Sequence, residues 1–561
     1  MRHLTVRPEE PPLPPSAEQR LRDGRAAWWT FVILAALLLP LFVLASFDFG
    51  VTWDEKARHR YGELIVEYFR GLRSRSFFTR EAGGLYGGMF DTICAVAEQW
   101  VPVNRYVLRH VINAIFGWIG VVYCGRLTAR LFGRWPGILA MVLLAASPRY
   151  FAHSMNNPKD LPFAALTVMA LYYFSTISST WPYISPRTAI KIVVALALAL
   201  NIRAGALLYL GYLGMLVTAY AIAERNRHWR RLADTAGRLS AITFGVLLLG
   251  SAFWPWAQGA PFIRPVEALL GMANYPWAGA VLFDGQGYAA PNLPWYYPLL
   301  WLLISTPPVV LFGAALSIFL SRDRTWFLRK NGLWALAAFP VLLVVARDST
   351  LYDGIRHLLF IYPILVVVAA AGWAAWLSEG HRPWLRRSVA VLLVAGLIDV
   401  ITFDVRFHPN QAVYFNAIVG GPRGAFARFD MDYWGNCVLE AVAWSAEAAR
   451  LSGTPITISG NPWHLVQLDA ERFPELSFTP PHRQHSLEVR LNRGSAKGVT
   501  DLASRPDVLY RVQTADGGVL CVVLPGSTFT ELRPPLSLPP ERSSPGPSIS
   551  RWLHFGATRE Q

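Results

Sequence analysis

Residues 192–223 read IVVALALALNIRAGALLYLGYLGMLVTAYAIA, apolar throughout except for Arg203. The stretch is either one long membrane crossing or a hairpin. Its flanks decide. Arg187 and Lys191 precede it, and Arg225, Arg227, Arg230 and Arg231 follow it. Basic residues in short loops mark the cytoplasmic side, so both ends lie there and an even number of crossings separates them. The sequence therefore predicts a hairpin with Asn201-Ile202-Arg203 at its tip. The first arm, of about 11–15 residues, spans only roughly 17–22 Å at 1.5 Å per residue. That sets Arg203 slightly below the outer surface, facing a cavity.

The rest of the chain follows the same logic. Of 561 residues, 53% are hydrophobic and 16% charged, against about 25% charged in soluble domains. Apolar runs of about 20 residues recur, as in a multi-pass membrane protein. The net charge of +15 is spread over loops between these runs. No nucleic-acid motif accompanies it, so nucleic acid is excluded as a partner. Spans are expected near 26–47, 106–123, 135–151, 162–177, the two arms of 192–223, 239–256, 294–320, 333–346, 358–377 and 388–403. The expected fold is thus an all-α polytopic membrane protein of about 11 transmembrane helices, N-terminus cytoplasmic.

Residues 1–25, basic and Pro-rich, read as a disordered cytoplasmic arm. Residues 26–403 form the membrane domain, with a long first outer loop, 48–103, that carries an amphipathic surface helix around Tyr61, Leu64, Ile65, Tyr68 and Phe69. From 404 to 530 the composition becomes soluble: a helix over 437–451, strands over 454–460 and 506–512, and a hairpin through Asp516-Gly517-Gly518. This is a small extracytoplasmic α/β domain. A Pro/Ser-rich tail, 531–561, follows. Of four cysteines, Cys437 and Cys521 are able to pair in an oxidising compartment, and two free thiols are the alternative. No metal-binding or redox spacing is present.

This topology brings four polar clusters to one membrane face: Asp54–Arg60, His153–Asp160, Arg203 and Arg347–His357. Asp54 and Glu55 are adjacent and cannot point the same way, so one acts and the other supports. A carboxylate there is placed to take a proton from an acceptor hydroxyl. The structural alternative is that Asp54 caps a helix with Glu55 in its first turn. Asp160 is a second carboxylate or, equally, a helix cap. Lys159 is a phosphate contact or a snorkelling side chain. Arg203 and Arg356 suit an anionic headgroup, because guanidinium forks match phosphate oxygens. Two carboxylates are also able to hold a divalent cation, but no cofactor or metal is expected to be required. Tyr275, Trp277 and Tyr288 lie in a long loop, 257–293, placed to close over such a site.

TWDE (52–55), NPKDLPFA (157–164), YDGIRHLLFIYP (352–363), HPNQAVYFNAIVGG (408–421) and RFDMDYWG (428–435) together resemble bacterial polyprenyl-phosphate-dependent glycosyltransferases of the GT-C fold. The nearer likeness is to the branch of protein O-mannosyltransferases and aminoarabinose transferases, over roughly residues 28–436. The resemblance implies an inverting transfer from a lipid-phosphate sugar to an extracytoplasmic protein, lipid or glycan, in a bacterial inner membrane. It maps the base onto Asp54, with Glu55 beside it, and the second carboxylate onto Asp160. It maps donor-phosphate contacts onto Lys159, Arg203, Arg356 and His357. An Arg-Tyr pair follows the acids in the aminoarabinose branch; KARHRY (56–61) leaves Arg58 and Arg60 as alternatives, with Tyr61. That departure weakens lipid A as the acceptor. Tyr352, Tyr275 and Trp277 are further substrate contacts. A flippase would show paired halves or broken helices in matching positions, which the sequence lacks; a scaffold would leave Asp54 and Asp160 dispensable.

Overall fold

The computed structural model describes residues 17–79, 83–179, 181–223, 229–273, 275–277, 279–378 and 382–529. Ten helices fill the first part of the chain: α1 (Ala17–Ser46), α2 (Glu55–Phe69), α3 (Met89–Ala97), α4 (Arg105–Phe132), α5 (Arg134–Ala145), α6 (Pro148–Asn156), α7 (Asp160–Ile177), α8 (Pro186–Leu200), α9 (Ala206–Ala223) and α10 (Trp229–Leu249). Helices Tyr297–Ser305, Pro308–Phe319, Arg324–Ala346, Tyr362–Leu377 and Pro383–Arg406 complete the membrane body.

Helices occur at every expected crossing, but not all of them are built to span. Among the described residues seven are long and apolar enough to cross a membrane, or up to nine if each of two bent pairs counts as one span. The shortfall from eleven has local causes. α8 has only 15 residues, and α10 opens on the polar run WRRLADTAGR. The bent pairs are α5–α6, at 66°, and 297–305 with 308–319, at 113°. Pro148 and Pro308 each start a second segment, where the missing N–H costs nothing and the preceding residue is driven out of the helical region. The first crossing extends further than expected: α1 starts at Ala17, so part of the basic arm is helical, and residues 1–16 lie outside the described residues. So do 530–561.

The hairpin is present. α8 stops at Leu200 and α9 starts at Ala206. Asn201 at the tip donates through Nδ2 to Ala197 O (3.0 Å) and Leu249 O (2.8 Å), and accepts at Oδ1 from Phe253 N (2.8 Å). One side chain thus fastens the tip to the end of α10. Residues 84–88 of the first loop lie across the tip, and Met89 N donates to Asn201 O at 3.2 Å. A Cβ on Gly87 would come within 1.9 Å of that carbonyl, so only glycine permits the approach. The amphipathic segment around 61–69 is α2, which buries Tyr61 and Ile65.

A β-hairpin, β1 (Ala280–Phe283) and β2 (Gln286–Ala289), interrupts the 257–293 loop. Residues 408–436 are threaded over the helical body: Asn416 Nδ2 donates to Leu303 O and Thr306 O, and Arg149 Nε donates to Tyr414 O. The soluble unit proper is the helix Val438–Ser452 with a five-stranded mixed sheet: β3 (Ile456–Asn461), β4 (Leu476–Phe478), β5 (Leu487–Leu491), β6 (Tyr510–Gln513) and β7 (Val519–Pro525). The strand order is β4-β3-β5-β7-β6; β3 is parallel to both β4 and β5, and β7 is antiparallel to β5 and β6. The expected Asp516-Gly517-Gly518 turn joins β6 to β7, with Gly517 at φ 95°, a backbone conformation glycine adopts without strain.

Cys437 and Cys521 form a disulfide that ties the start of helix Val438–Ser452 to β7, and Cys94 and Cys124 are buried free thiols. The expected outcome in purified, unreduced protein is that a maleimide labels two cysteines only after denaturation and four only after reduction as well. Cys437→Ser with Cys521→Ser should destabilise the sheet unit by about 2–4 kcal/mol, read as a lowered unfolding midpoint. Four reactive thiols without reductant would disprove the bridge.

Candidate active site

α2 starts with two adjacent acids, and the chain gives them opposite jobs. Thr52 and Glu55 form one arm of a capping box: Thr52 N–H donates to Glu55 Oε2 at 2.8 Å and Thr52 Oγ1 at 3.1 Å. His110 Nε2 lies 3.1 Å from the same carboxylate and Arg109 Nε 3.9 Å away. Glu55 is 1% exposed. Burial alone would push its carboxyl up, but His110, Arg109 and the Thr52 N–H together hold it below its ordinary value. Asp54 makes no side-chain capping bond at the start of α2. Its carboxylate turns instead to Lys159 Nζ at 2.7 Å and Arg356 Nη1 at 3.5 Å. The Asp54 side chain is 30% exposed, whereas Lys159 and Arg356 are 12% and 7% exposed. The carboxylate is the open member of the trio.

Lys159 and Asp160 sit where α6 passes into α7. Asn157 supplies the cap there: its Oδ1 accepts from Asp160 N at 3.0 Å and Lys159 N at 3.3 Å. The Asp160 carboxylate is therefore also released from capping. It accepts from Asn157 Nδ2 at 3.1 Å and pairs with Arg203 at the hairpin tip. Arg356 opens the 3₁₀ turn Arg356–Ile361. Its guanidinium lies between the Tyr352 and Trp434 rings, 4.5 and 4.9 Å from their centroids, and Nε is 3.6 Å from Asp353. Asp353 Oδ1 accepts from Arg493 Nη2 at 2.6 Å, so a residue from the loop after β5 fixes the acid that faces Arg356.

The remaining sequence-predicted residues divide. Arg58 is buried, pairs with Asp91, donates to Gly87 O at 2.8 Å and stacks on Tyr61 and Tyr86. Arg60 points outward to Glu63 and Glu67. Arg58 is thus the one facing the site, because it falls on the buried side of α2. Tyr61 donates to Tyr86 O at 3.1 Å, beneath the site. Trp277 stacks on Tyr352 at 4.3 Å with ring planes 4° apart, and Tyr352 meets His357 edge-on at 4.7 Å. Of the two acids, one expected to act and the other to support, Glu55 is the one turned away from the Lys159–Arg356 pair; of the alternatives Arg58 and Arg60, Arg60 stands apart from it. Sequence reasoning missed Tyr86, whose ring lies 4.7 Å from Lys159 Nζ, as well as Asp353, Trp434 and Arg493. Asp353 and Trp434 lie inside quoted motifs; for Tyr86 and Arg493 the sequence holds no signal.

Beside this cluster opens a cavity of about 590 Å³. Its walls are largely apolar, with Phe163, Leu207, Tyr212, Phe339, Val344 and Phe360 among them, and Tyr86, Arg203, Arg347, Tyr275, Tyr352 and His357 bring polar groups to it. An apolar chamber with Arg203 and Arg347 on its wall suits an amphiphile with an anionic head.

Asp54 is pulled in two directions. Burial would raise its pKa, while Lys159, Arg356 and Arg58 lower it, and the cations win, leaving it well below the ordinary carboxylate range. A folded-state pKa below the unfolded one stabilises the protein above the unfolded value, and that contribution is lost as pH falls through the folded value. The contribution is therefore fully present from about pH 4 to neutrality and fades only as pH falls below that value.

Residues 106–256 match the model of the family described as dolichyl-phosphate-mannose-protein mannosyltransferase. The match takes in Lys159, Asp160 and Arg203 and agrees with the likeness carried by the motifs: the chain resembles GT-C glycosyltransferases of the protein O-mannosyltransferase and aminoarabinose-transferase kind. No curated protein matches the chain. Among solved structures, ArnT from Cupriavidus metallidurans bound to undecaprenyl phosphate is 14% identical, over 91% of this chain and 99% of that one, with a TM-score of 0.47. The archaeal oligosaccharyltransferase AglB from Archaeoglobus fulgidus, in complex with an inhibitory peptide and a dolichol-phosphate, is 13% identical over 79% and 64%, with a TM-score of 0.46. The S. cerevisiae Pmt1-Pmt2 complex bound to the sugar donor is 16% identical over 43% and 34%, with a TM-score of 0.33.

The two acids should separate experimentally. Glu55→Ala leaves a buried cationic network short of a partner, a change that typically costs about 3–5 kcal/mol. Its unfolding midpoint in detergent should fall well below that of Asp54→Asn, which leaves the capping box intact. Equal midpoints would remove the division of labour.

Proposed function

We propose that this protein is an integral-membrane glycosyltransferase. It moves a sugar from a polyprenyl-phosphate donor to an extracytoplasmic acceptor in a bacterial inner membrane, with its N-terminus cytoplasmic and its sheet unit outside. The observation that carries the reading is an apolar cavity whose polar wall holds Arg203, Tyr86, Tyr352 and His357, with Tyr86 against Lys159 and Tyr352 against Arg356 of the Asp54 cluster. The polyprenyl chain occupies the cavity, and the phosphate sits among Arg203, His357, Lys159 and Arg356. Asp54 faces the acceptor hydroxyl.

The reaction is a single inverting displacement. The acceptor oxygen forms a bond to the anomeric carbon and gives its proton to Asp54. The carbon–oxygen bond to phosphate breaks, and its electron pair stays on the phosphate oxygen. Lys159, Arg356 and Arg203 stabilise that charge, an effect that counts for more in a site shielded from water. Asp160 orients Arg203 through their ion pair. A protein cation set performs the neutralisation, so no metal is needed by this scheme. Trp277, stacked on Tyr352, and Tyr275 line the approach to the sugar.

The Asp54–Lys159 contact has a mechanistic use. A carboxylate held far below its ordinary pKa is a poor base. When the donor phosphate binds, Lys159 and Arg356 turn to it, and Asp54 keeps its burial but loses its cations. Its pKa then rises, so donor binding switches on the base.

Two measurements test this. Protein purified in mild detergent should retain a polyprenyl phosphate or its sugar ester by mass spectrometry. Arg356→Ala should be depleted of it, and Asp54→Asn should keep it while losing about 10²–10⁴ in transfer rate. Bulk phospholipid alone in all three would defeat the donor site. In the pH profile, the acid limb of kcat, which reports the bound enzyme, should lie at higher pH than that of kcat/KM, which reports the free enzyme. Coincident limbs would refute the donor-triggered base.

A further inference from the structure

His59 plays no part in the site described, although it lies in the motif that forms it. It is 3% exposed, on the side of α2 away from Asp54's partners, and neither ring nitrogen makes a hydrogen bond. Yet Nε2 lies 3.1 Å from Glu98 Oε2 and 3.5 Å from Glu63 Oε1. Close approach without hydrogen-bond geometry means that the imidazole nitrogen is aimed at neither oxygen. The three ligand atoms lie within 4.8 Å of one another. Ligands at 2.0–2.1 Å around a tetrahedral zinc ion are separated by about 3.3–3.4 Å, and the two distances from His59 Nε2, 3.1 and 3.5 Å, bracket that spacing.

The elements are suited to the task. His59 and Glu63 stand one turn apart on α2, so they share a helix face. Glu98 caps the C-terminus of α3. The second oxygen of Glu63 accepts from Arg60 Nη1 at 2.8 Å, leaving Oε1 towards His59. Both glutamates are partly exposed, at 28% and 21%, which supplies an entry path and room for a water as fourth ligand. The cationic surroundings are Arg105, with Nη1 3.5 Å from Glu63 Oε1 and Nε 4.0 Å from Glu98 Oε2, and the buried Arg109, which is committed to Asp91. Arg105 is half exposed, at 52%, and free to swing outward.

We propose that His59, Glu63 and Glu98 form a site for a divalent transition-metal ion of zinc-like preference, separate from the Asp54 cluster, that clamps α2 to the end of α3. His/carboxylate donors of this kind favour zinc and its neighbours over magnesium or calcium. The ion bridges the two helices of the first loop, and Arg105 is the group it displaces. Its role is to hold α2, and with it the helix start that presents Asp54.

Tag-free protein purified without chelator is measured for metal content, then for its unfolding midpoint before and after EDTA and after zinc is returned. The site predicts about one ion per chain and a midpoint that EDTA lowers by several degrees and zinc restores. Glu98→Gln and Glu63→Gln, which are isosteric and partly exposed, should fold, lose the ion and lose the EDTA response. His59→Ala should do the same if it folds. Wild-type protein with no stoichiometric metal and no EDTA response would overturn the proposal, leaving a His59–Arg105–glutamate ion cluster. So would metal retained undiminished in both glutamine variants.

Discussion

The contact on which the rest of the site depends is the ion pair of Asp54 and Lys159. The two residues come from segments 105 positions apart in sequence, one following the first crossing and the other starting α7. Holding them 2.7 Å apart requires the first loop, the α6–α7 junction and the turn bearing Arg356 to meet at one point. Burial pushes a carboxylate in that position up, and the neighbouring cations reverse the shift. The pairing therefore fixes both its charge and the relative position of three elements. Asp54 answers to two cations, and Arg356 also faces Asp353 at 3.6 Å. An anion arriving there exchanges with these carboxylates for charge-assisted bonds to the ammonium and guanidinium.

Around that contact the chain repeatedly relieves chemical residues of structural duty. Thr52 and Glu55 close the start of α2, so Asp54 need not. Asn157 caps α7, so Asp160 need not. Asn201 satisfies the backbone at the hairpin tip, so Arg203 is free to turn to Asp160. Backbone groups at helix ends must be satisfied by something, and wherever a charged side chain stands ready, a neutral or buried neighbour makes the bond instead. Each assignment costs a conformationally fixed polar residue and leaves a carboxylate or guanidinium available to an ion pair in the cluster.

This division explains what was readable in the sequence and what was not. Apolar runs and basic flanks set the parity of 192–223, and parity alone put Asp54, Asp160, Arg203 and Arg356 on one face. The β6–β7 turn followed from Asp516-Gly517-Gly518, where glycine supplies the needed backbone. The choice between capping and chemistry at Asp54 and Asp160 was not readable, because Asp, Asn and Thr compete for the same capping position with similar propensity. Which of Arg58 and Arg60 faces inward depended on the rotation of α2, and that is settled by burial of Tyr61 and Ile65 rather than by order along the chain. Helix existence was more legible than helix length, as α8 illustrates.

The contribution of the sheet unit was the least legible, since it rests on a single long-range reach. Arg493 donates to Asp353, 140 positions earlier, and its Nε also lies 3.7 Å from Asp430. Burial pushes the Asp430 carboxyl up to about 7, with Arg493 opposing the rise. Arg493 also donates to Tyr433 O at 3.2 Å, beside Trp434, which flanks Arg356. The sheet unit therefore touches the acid that faces Arg356 and the backbone next to the Trp434 ring. Under the proposed function, Asp353 would compete with a donor phosphate for Arg356, and a shift of the Arg493 loop on acceptor binding would loosen it. Coupling of this kind needs no acceptor residue near the phosphate, because it acts through the charge already balanced there.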